Sequence, residues 1–93
     1  MEGGRAERLA EALEAAERAA RGYLEASLGR RLGDFDVTLK VEEGEDGVRL
    51  VVDVSVRASK SLPRHVADAL VDEAVERARR AFEEVYRRGA SRG

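Results

Sequence analysis

Apolar residues recur every three or four positions in the first part of the chain. This spacing places them on one face of a helix, which we expect from about Gly4 to Leu28. The apolar stripe of this helix is Leu9, Leu13, Ala16, Ala20, Leu24 and Leu28. Gly29 follows at the position where a helix commonly ends in a left-handed residue.

Two segments then alternate between apolar and polar residues, which is the period of a strand with one buried face. We expect strands from Phe35 to Glu42 and from Val48 to Ala58, joined by a hairpin loop of residues 44–47. One register matches apolar with apolar and acid with base. Its apolar pairs are Val41–Leu50, Leu39–Val52, Val37–Val54 and Phe35–Val56, and its polar pairs include Glu42–Arg49, Thr38–Asp53 and Asp34–Arg57. A slip of one residue would turn the valines toward water, so the pattern favours this register.

A second helix is predicted from Pro63 to about Arg88, with proline at its first helical position. Its apolar stripe is Val66, Leu70, Ala74, Ala78, Ala81, Phe82 and Val85, widened by Val71 and Val75. Glutamates stand four residues before arginines along it, a spacing that supports a helix. Residues 89–93 are expected to form a frayed tail.

These elements predict an α+β fold with the order helix, strand, strand, helix, in which both helices pack on one face of an antiparallel hairpin. We expect a single domain over residues 1–93, with an ordered core of about 4–88. Both outer edges of a two-stranded sheet expose unpaired N–H and C=O groups, and an isolated hairpin is marginal. We therefore expect two copies to pair edge to edge into a four-stranded sheet, as a homodimer. The alternative is that the edge pairs with a different protein.

The polar face of the hairpin carries the candidate interaction residues. Val51 is the one large apolar side chain expected on that face, and Arg49 and Ser55 lie beside it on the same strand. We expect these three residues to contact the partner.

Composition excludes several classes of protein. The 93 residues include 17 Lys+Arg and 19 Asp+Glu, for a net charge of -2, with no cysteine and one histidine. The absence of cysteine excludes a disulfide framework and a thiolate metal site. No run approaches the roughly 18 apolar residues of a membrane span, and no apolar signal-peptide core follows Met1. Abundant charge without Asn, Gln or Cys is typical of a heat-adapted protein, although a GC-biased or designed sequence would also fit. We expect a cytoplasmic protein.

No catalytic constellation is evident, so we expect no enzyme activity, no cofactor and no bound metal. His65 has no serine, cysteine or second histidine placed to work with it, and the acidic hairpin tip lacks the ligand spacing of a calcium loop. Arginines crowd the second helix, and an RNA- or ribosome-associated module using Arg77, Arg80, Arg87 and Arg88 is the alternative function. Glutamate partners on the same helix are the simpler explanation for these arginines.

Two segments carry a family resemblance. The run from Leu50 to Val56, a short Ser/Leu/Pro link, and the run from Ala69 to Ala78 resemble a family of small archaeal proteins of unknown function. A more distant likeness is to the small Pcc-type dimerisation subunit of the KEOPS complex, which makes threonylcarbamoyladenosine on tRNA. That likeness implies two helices on an antiparallel sheet, a dimer and no catalytic residues. Such subunits begin with a strand, whereas this chain begins with a helix.

Overall fold

A computed structural model describes residues 3–29, 33–45, 47–58 and 62–92 of the chain. Helix α1 spans Gly3–Leu28, strand β1 Gly33–Gly44, strand β2 Gly47–Ala58 and helix α2 Arg64–Arg92. The α+β class and the order helix, strand, strand, helix are therefore confirmed.

The hairpin has the register that the alternation predicts. Phe35 pairs with Val56 and Val41 with Leu50, and the polar face pairs Asp34 with Arg57. The strands extend further toward the tip than expected, because Gly44 and Gly47 face each other as the last pair. The loop is thus shorter than the expected residues 44–47, because Gly44 and Gly47 belong to the strands. Gly47 has a φ of 124°, a backbone conformation that favours glycine.

The helix ends follow from local backbone chemistry. Gly29 has a φ of 63°, and its N–H donates to the carbonyl oxygen of Glu25 at 3.0 Å, as the sequence predicts for a left-handed helix end. Pro63 lies one residue before α2, which begins at Arg64. Its carbonyl oxygen accepts hydrogen bonds from the N–H groups of Val66 and Ala67. It is therefore the capping residue and not the first helical residue. At the other end, α2 continues past Arg88, and the expected tail is helical as far as Arg92.

The two helices lie side by side on the apolar face of the hairpin, with α1 over β1 and α2 over β2. They meet through small side chains, which allow two helices to approach closely. The buried helix residues are Ala12, Ala16, Ala20, Leu24, Leu28, Ala74, Ala78 and Phe82. Most belong to the predicted stripes. Ala12 is buried although it lies outside the predicted stripe, and Leu9 and Leu13 are only partly buried at the margin of the core.

The helices cover the sheet incompletely. Val37 is 9% exposed and is the strand residue that belongs to the buried core among the residues described. The other inward-facing strand residues are partly exposed: Phe35, Leu39, Val41, Val48, Leu50, Val52, Val54 and Val56. The molecule measures 51 × 23 × 16 Å, and its radius of gyration is 15.0 Å, against about 12 Å for a compact domain of this length. Apolar side chains therefore remain accessible along the long edges of a thin plate.

Candidate functional site

A groove of about 540 Å³ runs along the free edge of β2, beneath the flank of α2. Its lining residues are Val48, Arg49, Leu50, Val51, Val52, Arg79, Phe82 and Glu83. Residues from both faces of β2 contribute to it and none from β1, so it lies at the outer edge of the sheet. We call this site the β2-edge groove.

The wall of the β2-edge groove is apolar and its rim carries both signs of charge. Phe82 is 5% exposed and stacks against Tyr86, with ring centroids 5.7 Å apart. Arg79 and Glu83 stand one helical turn apart on the rim. Glu83 approaches Arg87 at 3.7 Å, whereas Arg79 is exposed and forms no ion pair within the described part of the chain. Arg79 has Val75 four residues before it, whereas its neighbours Arg77 and Arg80 have glutamate at that spacing.

The outer face of β2 continues the groove. Arg49 lies 3.9 Å from Glu42 and is 79% exposed, so this ion pair is weak. Val51 is partly buried, and Asp53 is exposed and makes no ion pair with any described residue. Of the three predicted interaction residues, the structure places Arg49 and Val51 in the β2-edge groove. Ser55 is exposed on the same face but does not line it.

Six of the eight residues that line the groove were not predicted to contact a partner, and three of these six lie on α2. Phe82 belonged to the predicted apolar stripe and was assigned to the core, Glu83 was considered only as a partner of Arg87, and Arg79 was given no role. Periodicity identifies the inward face of a helix, but it does not show which strand lies beneath its flank. An arginine without a glutamate four residues before it was the one signal available.

The free edge of β1 has a smaller groove, of about 350 Å³, against α1. It is lined by Leu13, Glu14, Glu17, Val37, Thr38 and Leu39. Its charged residues are both acids, and Glu17 accepts a hydrogen bond from Arg21 at 2.9 Å. Arg18 and Arg21 lie beside these two acids on the outer surface of α1, so charges of both signs flank this edge as well.

A cluster of charges closes the open end of the hairpin. Arg57 donates to Asp36 at 2.8 Å and to Asp34 at 3.1 Å across the strands. The backbone N–H of Phe35 and the Arg57 guanidinium lower the pKa of Asp34. The hydrogen bond to Asp34 and the charge of Asp36 raise the pKa of Arg57. All three side chains are exposed, so the cluster fixes the strand ends and offers no enclosed site.

The arginines of the alternative function are engaged within the protein. Arg77 donates to Glu73 at 2.8 Å and lies over the Tyr23 ring, 4.5 Å from its centroid. Arg80 approaches Glu76 at 3.7 Å and Arg87 approaches Glu83 at the same distance. The Arg88 side chain lies outside the described residues. Arg77, Arg80 and Arg87 therefore do not form a surface of unpaired arginines.

Replacing Arg77 with alanine is expected to lower the free energy of unfolding by about 1 kcal/mol, because the cation–aromatic contact that ties α2 to α1 is lost. Arg80→Ala is the matched control. Arg80 has a single exposed ion pair, so its loss should cost under about 0.5 kcal/mol. Urea denaturation followed by circular dichroism compares the two variants. Equal effects would contradict a structural role for Arg77.

The described residues offer few groups for catalysis or metal binding. No group of three His, Cys, Asp or Glu side chains in them could hold a metal ion, and none of their buried side-chain polar atoms lacks a hydrogen-bond partner. His65 is exposed in the first turn of α2. Neither described helix has the length and apolar character needed to cross a bilayer.

Comparison with known proteins identifies one informative neighbour. No protein-family model and no curated protein matches the chain. A crystal structure of a protein from Thermococcus onnurineus NA1 is similar to it, with 31% sequence identity and a TM-score of 0.74. The match covers 94% of this chain and 84% of the Thermococcus chain. The description of that protein gives its organism and no activity, and it lends no support to the likeness with the KEOPS subunit. The chain belongs to the same family as this small archaeal protein.

Proposed function

We propose that this protein is a non-enzymatic assembly module that joins another protein chain through the free edge of β2. One observation carries the proposal: an unpaired strand edge lies directly beside a groove that has apolar side chains, including Val51 and Phe82, within a charged rim. A strand edge offers a row of backbone donors and acceptors that another strand can satisfy.

The chemistry of the groove favours a protein as the occupant. Backbone groups along β2 would bind an added strand, and the apolar wall formed by Leu50, Val52 and Phe82 would take alternate side chains of that strand. The site has no buried charge to orient a small substrate, since the described residues include no buried polar side chain.

Two forms of this function follow from the sequence. The protein is either a homodimer or an accessory subunit of a larger complex, of which a tRNA-modification complex is one example. RNA contact is the less favoured function, because Arg77, Arg80 and Arg87 already have glutamate partners.

Photo-crosslinking in the native cell tests the proposal. A photoreactive amino acid at Arg49 is expected to give a discrete crosslinked protein, because that side chain lies at the edge of the proposed interface. The matched control is the same residue at Glu11, which is exposed on α1 away from the sheet edges. Mass spectrometry identifies the crosslinked chain.

The result at each position decides the proposal. A discrete product from Arg49 and none from Glu11 supports an assembly function at this edge. Equal, diffuse labelling from both positions, or no product from either, would overturn it. The identity of the captured chain separates self-assembly from an accessory role.

A further inference from the structure

We infer that the occupant of the β2-edge groove is a second copy of this chain, paired antiparallel along β2 with Val51 on the twofold axis. This inference rests on the proposed function and names the partner at the same site. Pairing of the two copies makes a continuous four-stranded sheet, with the two β2 strands at the centre and the two β1 strands at the edges.

The polar face of β2 is self-complementary in this register. With Val51 opposite the partner's Val51, Arg49 stands opposite the partner's Asp53, and the reverse pair forms on the other side of the axis. Asp53 has no ion-pair partner among the described residues of its own chain, and Arg49 has only the weak 3.9 Å contact with Glu42. Self-pairing therefore supplies a direct cross-strand partner to both charges.

The same register extends to the inner face of the strand. On the face toward the helices, Leu50 meets the partner's Val52, and Val48 meets the partner's Val54. These four positions are partly exposed in the single chain, so pairing would continue the apolar layer across the interface.

Neighbouring symmetric registers fit less well. A shift in one direction places Val51 opposite the partner's Asp53, and a shift in the other places it opposite the partner's Arg49. A further shift brings Asp53 against the partner's Asp53 and Arg49 against the partner's Arg57, which are like charges. The arrangement with Val51 on the axis pairs apolar with apolar and acid with base on both faces.

The flank of α2 agrees with this arrangement. Because α2 lies over β2, self-pairing brings the two α2 helices beside each other, running in opposite directions. Arg79 and Glu83 both line the groove on this flank. A twofold axis between the helices turns Arg79 toward the partner's Glu83, which gives Arg79 an acidic partner that it lacks in the described part of its own chain.

The β1 edge is the weaker candidate for self-pairing. With Thr38 on the axis, Asp34 faces the partner's Glu42, and with Leu39 on the axis, Asp36 faces the partner's Glu42, which are like charges. With Val37 on the axis, Asp34 would face the partner's Lys40, but Arg57 already binds both Asp34 and Asp36 within the chain. The β2 edge is favoured because its Asp53 has no ion-pair partner among the described residues.

Charge reversal with rescue tests the register. The dimer dissociation constant of the purified chain is measured by sedimentation from low to high micromolar concentration. Arg49→Asp and Asp53→Arg are each expected to raise it by about tenfold or more, since each places two pairs of like charges across the interface. The double variant restores both pairs and should return to the wild-type constant. Glu11→Arg, a charge reversal at an exposed position of α1 that lines neither groove, is the matched control and should leave it unchanged.

Disulfide trapping gives an independent readout. The chain has no cysteine, so Val51→Cys introduces a single thiol. Directly opposite strand residues have Cβ atoms close enough for a disulfide to form with small adjustment. Mild oxidation is therefore expected to give a covalent dimer, whereas Thr38→Cys on β1 should give no covalent dimer.

The outcomes separate this inference from the proposed function. A chain that remains monomeric, or a dimer that neither the charge reversals nor the Val51→Cys thiol affects, would overturn self-pairing at β2. Crosslinking from Arg49 to a different protein would also overturn it while supporting the assembly function. Absence of any crosslinked product from Arg49 would overturn both the self-pairing and the proposed assembly function.

Discussion

Replacing Val37 with aspartate is expected to unfold the protein. Val37 is 9% exposed, pairs with Val54 across the hairpin and belongs to the buried core. The charged side chains that line the groove beside Val37 are Glu14 and Glu17, which would repel a carboxylate, and none of the described residues is a buried polar side chain that could pair with it. An uncompensated buried charge costs about 3 kcal/mol or more, a large part of the roughly 5–15 kcal/mol that stabilises a domain.

Urea denaturation followed by far-ultraviolet circular dichroism measures this effect. Thr38→Asp is the matched control, because Thr38 is the next residue on β1 and faces solvent opposite Asp53. Even with that like charge opposite, the control should lose less than about 1 kcal/mol. A cooperative, wild-type-like transition for Val37→Asp would show that the inward and outward faces of the sheet have been assigned the wrong way round.

The register of the hairpin could be predicted because two independent patterns agree. Alternation sets which residues face the helices, and the polar pairs Glu42–Arg49 and Asp34–Arg57 fix the pairing on the other face. The degree of burial could not be predicted in the same way. Val37, Val52 and Val54 are equivalent in the alternation, yet Val37 is the one in the buried core, because burial depends on where each helix lies above the sheet.

Helix ends and the hairpin tip were less predictable than the faces of the elements. Proline suits both the first helical residue and the residue before it, so the sequence does not distinguish the two positions for Pro63. Likewise, Gly44 and Gly47 are compatible with a loop and with a final pair of strand residues. Hydrogen bonding of the backbone decided both cases.

The residues of the candidate site likewise fall into those that the sequence could predict and those that it could not. Arg49 and Val51 could be predicted because an apolar side chain on a polar strand face is visible in the sequence. Arg79 and Glu83 could not, because their relation to β2 depends on the lateral position of α2 over the sheet. A site formed between two elements needs that position, and periodicity along one element does not contain it.

Buried alanines between the helices set the lateral position of α2 over the sheet. Replacing one of them is the second change for which we expect a large effect on stability. Ala78 is fully buried, as are Ala16 and Ala20 on the facing helix. Ala78→Leu is expected to lower the free energy of unfolding by about 2 kcal/mol, because a larger side chain in a filled interface forces the helices apart. For a domain of this size the midpoint of thermal unfolding should fall by about 8–16 °C.

Ala69→Leu is the matched control, since Ala69 is exposed on the same helix and the added methyl groups meet solvent. Its melting temperature should change little. Displacement of α2 would also move Phe82 and Arg79 relative to β2, so any Ala78→Leu protein that remains folded should have a weaker dimer than Ala69→Leu in the same sedimentation experiment. A destabilised Ala78→Leu variant with an unchanged dimer dissociation constant would mean that the β2 backbone, and not the flank of α2, carries the interface. An Ala78→Leu variant as stable as wild type would show that the helices are not in close contact at this position.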